Sequence, residues 1–103
     1  MQRYLWNPDY AFAFPDLATN SDGEVGLSFC WGGARQDPQF GVGMLTGRDT
    51  SLLSITPDPS SGAGGDYISL RMSFPNVNAF CAAGFNQMPP DANNHPHYVL
   101  FRP

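Results

Sequence analysis

Lysine is absent from this sequence of 103 residues, and all five basic residues are arginines. Arg3, Arg35, Arg48, Arg71 and Arg102 stand far apart, and the formal net charge is −4. Phosphate binding needs clustered cations, so nucleic acid is excluded as a main partner. Charged residues make up only 14% of the chain. Its surface must therefore be kept soluble by Asn, Ser, Thr, Asp and backbone, or be hidden in a partner. No stretch approaches the roughly 18 apolar residues of a membrane span. Near the start, Asn7-Pro8-Asp9 cuts off any signal-peptide core, and nothing fixes a compartment. Long helices have no room, because ten prolines and eleven glycines are spread along the whole chain. There are two cysteines, Cys30 and Cys81. Both fall mid-strand in apolar surroundings, which favours inert buried thiols over a disulfide and leaves the disulfide open.

What the chain does have is alternation. The stretch that opens at Asn20-Ser21-Asp22-Gly23 and closes at Gly32-Gly33 carries Val25, Leu27, Phe29 and Trp31 on one face. Glu24, Gly26, Ser28 and Cys30 fall on the other, the period of a strand with one apolar side. Asp22-Gly23 supplies the turn before it. Further strands are predicted at 1–6, 10–14, 16–19, 40–45, 51–55, 66–74, 79–85 and 97–101. Pro15 argues against a fully laddered central strand across it, and the glycines of 40–45 suggest a bulge or a closely approaching backbone. Polar loops are expected at 32–38 and 86–96.

Phe29-Cys30-Trp31-Gly32-Gly33 and Phe80-Cys81-Ala82-Ala83-Gly84 share Phe-Cys-x-x-Gly, 51 residues apart. Four-stranded repeats of about 40–50 residues mark propeller blades. A single β-sandwich with two similar hairpins fits the same pattern. In the propeller reading the chain is one all-β domain, 1–103, of two four-stranded antiparallel propeller-like blades. These occupy about 10–56 and 66–103, and the Pro/Gly-rich loop 56–65 joins them. The second blade lacks its outer strand while a stray strand stands at 1–6. The N-terminal strand of another copy is therefore expected to complete it, giving a cyclic homo-oligomer.

Several runs resemble the C-terminal part of bacterial sialidase-like, BNR-type β-propeller proteins. They are Trp6-Asn7-Pro8-Asp9-Tyr10-Ala11, Phe14-Pro15-Asp16-Leu17-Ala18-Thr19-Asn20, Gly23-Glu24-Val25-Gly26-Leu27-Ser28, Trp31-Gly32-Gly33, Gly65-Asp66-Tyr67 and Tyr98-Val99-Leu100-Phe101. The resemblance implies a propeller that processes or binds sugars. The Asp-box Ser-x-Asp-x-Gly-x-Thr-Trp is absent, however, and Ser21-Asp22-Gly23 is at most its vestige.

Sialidase chemistry needs an arginine cluster, a tyrosine activated by a glutamate, and an acidic proton donor. The chain has a single glutamate, Glu24, at a turn edge where solvation is its simplest role. The balance leans against an enzyme. The residues suited to a sugar are Trp6, Tyr10, Trp31 and Tyr67 for stacking. Asp66 and Arg71 add polar contacts, Arg71 holding a carboxylate bidentately. Each has a competing structural role, core packing for Trp31 and an internal pair with Asp66 for Arg71. His95-Pro96-His97 near Asp91 lacks a third well-spaced metal ligand, and the aspartates of the Gly-rich turns lack EF-type spacing. No metal or cofactor is expected. The leading expectation is a lectin-like, non-catalytic carbohydrate-binding module. The alternatives are a fragment of a sialidase-like glycoside hydrolase and a structural self-assembling unit with no ligand.

Overall fold

The computed structural model describes residues 7–34, 36–46, 49–54, 68–87 and 94–103. Among them are seven strands and no helix: β1 (Ala11–Thr19), β2 (Val25–Gly33), β3 (Gln36–Thr46), β4 (Asp49–Ser54), β5 (Ser69–Met72), β6 (Phe80–Gln87) and β7 (Asn94–Phe101). They form two antiparallel meanders, a four-stranded sheet in the order β1-β2-β3-β4 and a three-stranded sheet in the order β5-β6-β7. The strand order follows the sequence reading, but the boundaries do not. Strand β3 begins inside the expected loop 32–38, and β6 and β7 both extend into the expected loop 86–96. Residues 1–6, the loop 56–65, Asp66, Tyr67 and Asp91 lie outside the described residues.

The face of β2 that joins the sheets is the small one, against expectation. Gly26, Ser28 and Cys30 are buried, as are Leu27 and Phe29. Register explains why. Gly26, Ser28 and Cys30 stand opposite Met44, Val42 and Phe40 of β3, so small residues on one strand leave room for large ones on the next. The second sheet fills that room with Ile68, Leu70, Phe80 and Ala82. A Cβ on Gly26 would lie 3.1 Å from both Leu70 and Phe80. The exchange is reciprocal, because the Phe40 ring sits over Gly84 of β6. Burying each of these rings contributes roughly 2–3 kcal/mol. The paired cysteines of the sequence repeat are not equivalent positions: Phe29 is the fifth residue of β2, whereas Phe80 is the first of β6. Both thiols are free. Cys30 belongs to the core between the sheets, while Cys81 alternates with Phe80 and Ala82 and faces the other way. A whole sheet separates them. Burial pushes the Cys30 thiol up, which keeps it protonated and inert.

Pro15 is accommodated on an edge strand within a bulge. Ala13 pairs with Cys30 and Asp16 with Ser28, so Phe14 and Pro15 together face Phe29. Phe14 takes a left-handed φ of 52° to make this possible. The extra residue reverses the facing of the rest of β1 and turns Asp16 toward the second sheet. There its Oδ2 accepts the Leu70 N–H at 2.8 Å, and its Oδ1 accepts the N–H of Leu17 at 3.1 Å. The exposed backbone edge of β5 is thus capped by a side chain from β1.

At the end of β1 the turn is wider than a two-residue hairpin. The Asn20 N–H donates to the Glu24 carbonyl (3.0 Å), and the Gly23 N–H donates to the Asn20 carbonyl (3.1 Å). Gly23 sits at φ 77°. This is a three-residue loop with a left-handed glycine closing it. The β1–β2 turn also docks on the β5–β6 turn, since the Ser21 N–H donates to the Val77 carbonyl at 2.9 Å. Both β1 and β5 therefore run toward the same end of the molecule, side by side.

Candidate functional site

Of the six residues suggested by the sequence, the structure describes Tyr10, Trp31 and Arg71; Trp6, Asp66 and Tyr67 lie outside the described residues. Tyr10 and Trp31 do come together. Their ring centroids are 5.3 Å apart with planes at 89°, edge to face. Phe12 and Phe29 repeat the arrangement one step along the same face, at 5.7 Å and 73°. Local chain geometry sets Tyr10 in place. The Asp9 N–H donates to Asn7 Oδ1 (2.8 Å), which folds the segment before β1. The Asp9 carbonyl then lies where only Gly33 leaves space, 2.6 Å from the position a Cβ would take. Tyr10 remains 45% exposed beside the half-buried indole.

Arg71 is elsewhere. It is exposed on the outer face of β5, opposite Cys81, and makes no ion pair with any described residue. Strands β1 and β5 run the same way, yet Tyr10 precedes β1 while Arg71 is near the end of β5. The two therefore stand at opposite ends and on opposite faces. Trp31 faces away from the inter-sheet core, so its packing is against Tyr10 rather than inside the sandwich.

His95 and His97 belong to β7, not to a flexible loop. His97 stands opposite Gly84, and His95 opposite Asn86. Among the described residues no three His, Cys, Asp or Glu side chains converge on a metal site. Burial, and secondarily the neighbouring His95, lower the pKa of His97 below its ordinary value of 6.5. The unfolded chain therefore takes up this proton at a higher pH than the folded one. Stability is expected to be full above pH 6.5 and to fall as the pH drops through the window between 6.5 and the lowered folded value. Urea midpoints measured from pH 7.5 to 5 should show this decline, and His97→Gln should flatten it. On the far face of the same sheet, a hydrogen bond with the Cys81 thiol holds the Tyr98 phenol protonated above its ordinary range.

A second polar site was not anticipated from the sequence. A groove of about 430 Å³ lies between the β5–β6 turn and the end of β7, lined by Asn76, Asn78, Ala79, Leu100, Phe101 and Arg102. No motif marks it, because its residues meet only when β7 pairs with β6 and brings Phe101 opposite Phe80.

No helix among the described residues is long and apolar enough to cross a membrane. No family model matches the chain, and comparison with curated proteins and with solved structures returned no match.

Proposed function

We propose that the chain is a non-catalytic, lectin-like carbohydrate-binding module of propeller type that assembles into a ring with further copies of itself. One observation carries the assembly. The second sheet has three described strands where its neighbour has four, and β7 forms its edge over eight residues. That edge carries Tyr98 at 71% and Leu100 at 54% exposure. An apolar edge of this length with no described strand beside it invites strand addition. In this reading the run 1–6 of one copy adds the fourth strand to the next. The sense of stacking supports it. The two sheets follow one another front to back, with β1 and β5 running in the same direction, so further sheets can be added in the same way. A heterologous contact that closes gives a ring. Light scattering of the purified chain is expected to show a discrete multimer, such as a trimer of six blades or a tetramer of eight. Removing residues 1–6 should reduce it to monomer, and a monomeric full chain would refute the ring.

The sugar-binding half rests on Tyr10, exposed against Trp31. The Tyr10 ring, held at right angles to the indole, offers one exposed aromatic face to the C–H face of a pyranose. Screening neutral and acidic glycans against the intact chain should find saturable binding that Tyr10→Ala weakens about tenfold. A stable ring that binds no glycan would leave the structural reading in its place.

A further inference from the structure

We infer that the groove between the β5–β6 turn and the end of β7 binds a sugar acid, with Arg102 on its carboxylate and Asn76 and Asn78 on its hydroxyls. This deepens the carbohydrate-binding reading and rests on it. The turn is held by its own backbone. The Ser73 N–H donates to the Ala79 carbonyl (2.9 Å), the Val77 N–H to the Pro75 carbonyl (3.1 Å), and the Ala79 N–H to the Asn76 carbonyl (3.0 Å). From the neighbouring sheet, Asn20 Nδ2 donates to the Asn78 carbonyl at 2.9 Å. Main chain and the Asn20 side chain thus satisfy the main chain of the turn, and the amide side chains of Asn76 and Asn78 have no hydrogen-bond partner among the described residues. The guanidinium of Arg102 has no described partner either. Three exposed hydrogen-bonding side chains therefore line one groove with no protein partner among the described residues.

The opposite wall is fixed as well. The Phe101 ring stacks on the fully buried Phe80 ring at 5.4 Å, which anchors the end of the strand that carries Leu100, just before Arg102. The backbone under Asn76 and Asn78 is therefore held in place before a ligand arrives, and Arg102 follows directly on the anchored end of β7, which lowers the cost of ordering the site.

The chemistry of the lining selects the ligand. A guanidinium presents two parallel donors that match a carboxylate. A primary amide both donates and accepts, as does a sugar hydroxyl. Ala79 and Leu100 supply an apolar floor for the C–H face of a ring. The volume, about 430 Å³, lies within the range of small-molecule sites. The groove is also separate from the Tyr10–Trp31 pair. It lies at the turn end of β1, nine residues from Tyr10, or about 25–30 Å along the strand.

The test is calorimetric titration of the intact chain with D-glucuronate, D-glucose and acetate, each at up to tens of millimolar. Glucuronate should bind saturably, at least tenfold more tightly than either other probe, and Arg102→Gln should abolish that advantage. Asn76→Ala should weaken glucuronate and leave acetate unchanged. Arg102 is exposed and has no partner among the described residues, so its replacement is expected to leave the thermal midpoint where it was. Equal binding of acetate and glucuronate would overturn the sugar assignment, and glucuronate binding unaffected by Arg102→Gln would overturn the groove. Neutral glycans that bind in a Tyr10-dependent way, without preference for glucuronate, would overturn this inference and leave the carbohydrate-binding reading standing. Absence of all binding would remove both.

Discussion

Replacing Gly84 with alanine is expected to lower the stability of the fold by about 3 kcal/mol, an unusually large effect for one added methyl group. The added Cβ would stand 2.6, 2.7 and 2.8 Å from three atoms of the Phe40 ring. Real Cβ contacts do not come so close. The ring has nowhere to go, because Phe40 is fully buried in the core that includes Cys30, Val42 and Phe80. Relief must come from separating the two sheets, which loosens the reciprocal contact of Phe80 with Gly26 at the same time. Phe40→Leu offers the means to check this cause. Alone it should destabilise by about 1–2 kcal/mol through lost burial. Combined with Gly84→Ala it should cost clearly less than the sum, since the smaller side chain vacates the space that the methyl group needs. Urea unfolding of the two single variants and the double variant closes the cycle. Strict additivity would show that the Gly84 effect does not arise from Phe40.

The same contact shows what could be read from the sequence and what could not. Period-two alternation located β2 within two residues at each end and placed β5 inside the expected run 66–74, because a half-buried strand must alternate wherever it lies. Alternation says which residues share a face; it does not say which face meets the partner sheet. The large residues of β2 drew the prediction toward Val25, Leu27, Phe29 and Trp31. The sheets instead meet over Gly26, Ser28 and Cys30, because β3 fills that side with Phe40, Val42 and Met44. A packing surface is decided by the sum of volumes from two strands and a facing sheet, which no single strand pattern contains. Pro15 is a similar case. Its missing N–H correctly pointed away from a central ladder. The bulge that absorbs it, and the turning of Asp16 onto Leu70, depend on the register with β2.

The candidate sites divide along the same line. Tyr10 and Trp31 were visible individually as aromatics in an extended context, and antiparallel pairing of β1 with β2 was enough to join them. Arg71 was grouped with them as a bidentate holder of a carboxylate, yet chain direction carries it to the other end. Asn76, Asn78 and Arg102 carried no signal in sequence: a turn and a strand end, over 20 residues apart, form a groove only through the β6–β7 register. Glu24, the single glutamate and so the focus of any catalytic reading, is half-buried. Its Oε1 accepts from Asn20 Nδ2 at 3.0 Å, a structural task.

Asn20 itself is the residue whose loss is expected to cost most after the core contacts, about 2–3 kcal/mol for Asn20→Ala. It is only 5% exposed and uses every polar atom it has. Its Oδ1 accepts from the N–H groups of Asp22 (3.0 Å) and Glu24 (2.9 Å). Its Nδ2 donates to Glu24 Oε1 and to the Asn78 carbonyl of the other sheet. Alanine would strand the Glu24 N–H and the Asn78 carbonyl and untie one turn from the other. The N20D variant separates these contributions. An introduced carboxylate keeps both acceptor bonds but faces the Asn78 carbonyl and the Glu24 carboxylate with no hydrogen to offer. At neutral pH it should be no better than alanine. Repulsion raises the pKa of the introduced group in the folded state, so the folded chain binds more protons than the unfolded one as the pH falls. Stability of N20D relative to the parent should therefore recover on acidification through the carboxylate range, whereas the deficit of Asn20→Ala should stay constant. Parallel curves for the two variants between pH 7 and 4 would mean that donation from Nδ2 does not hold the turns together.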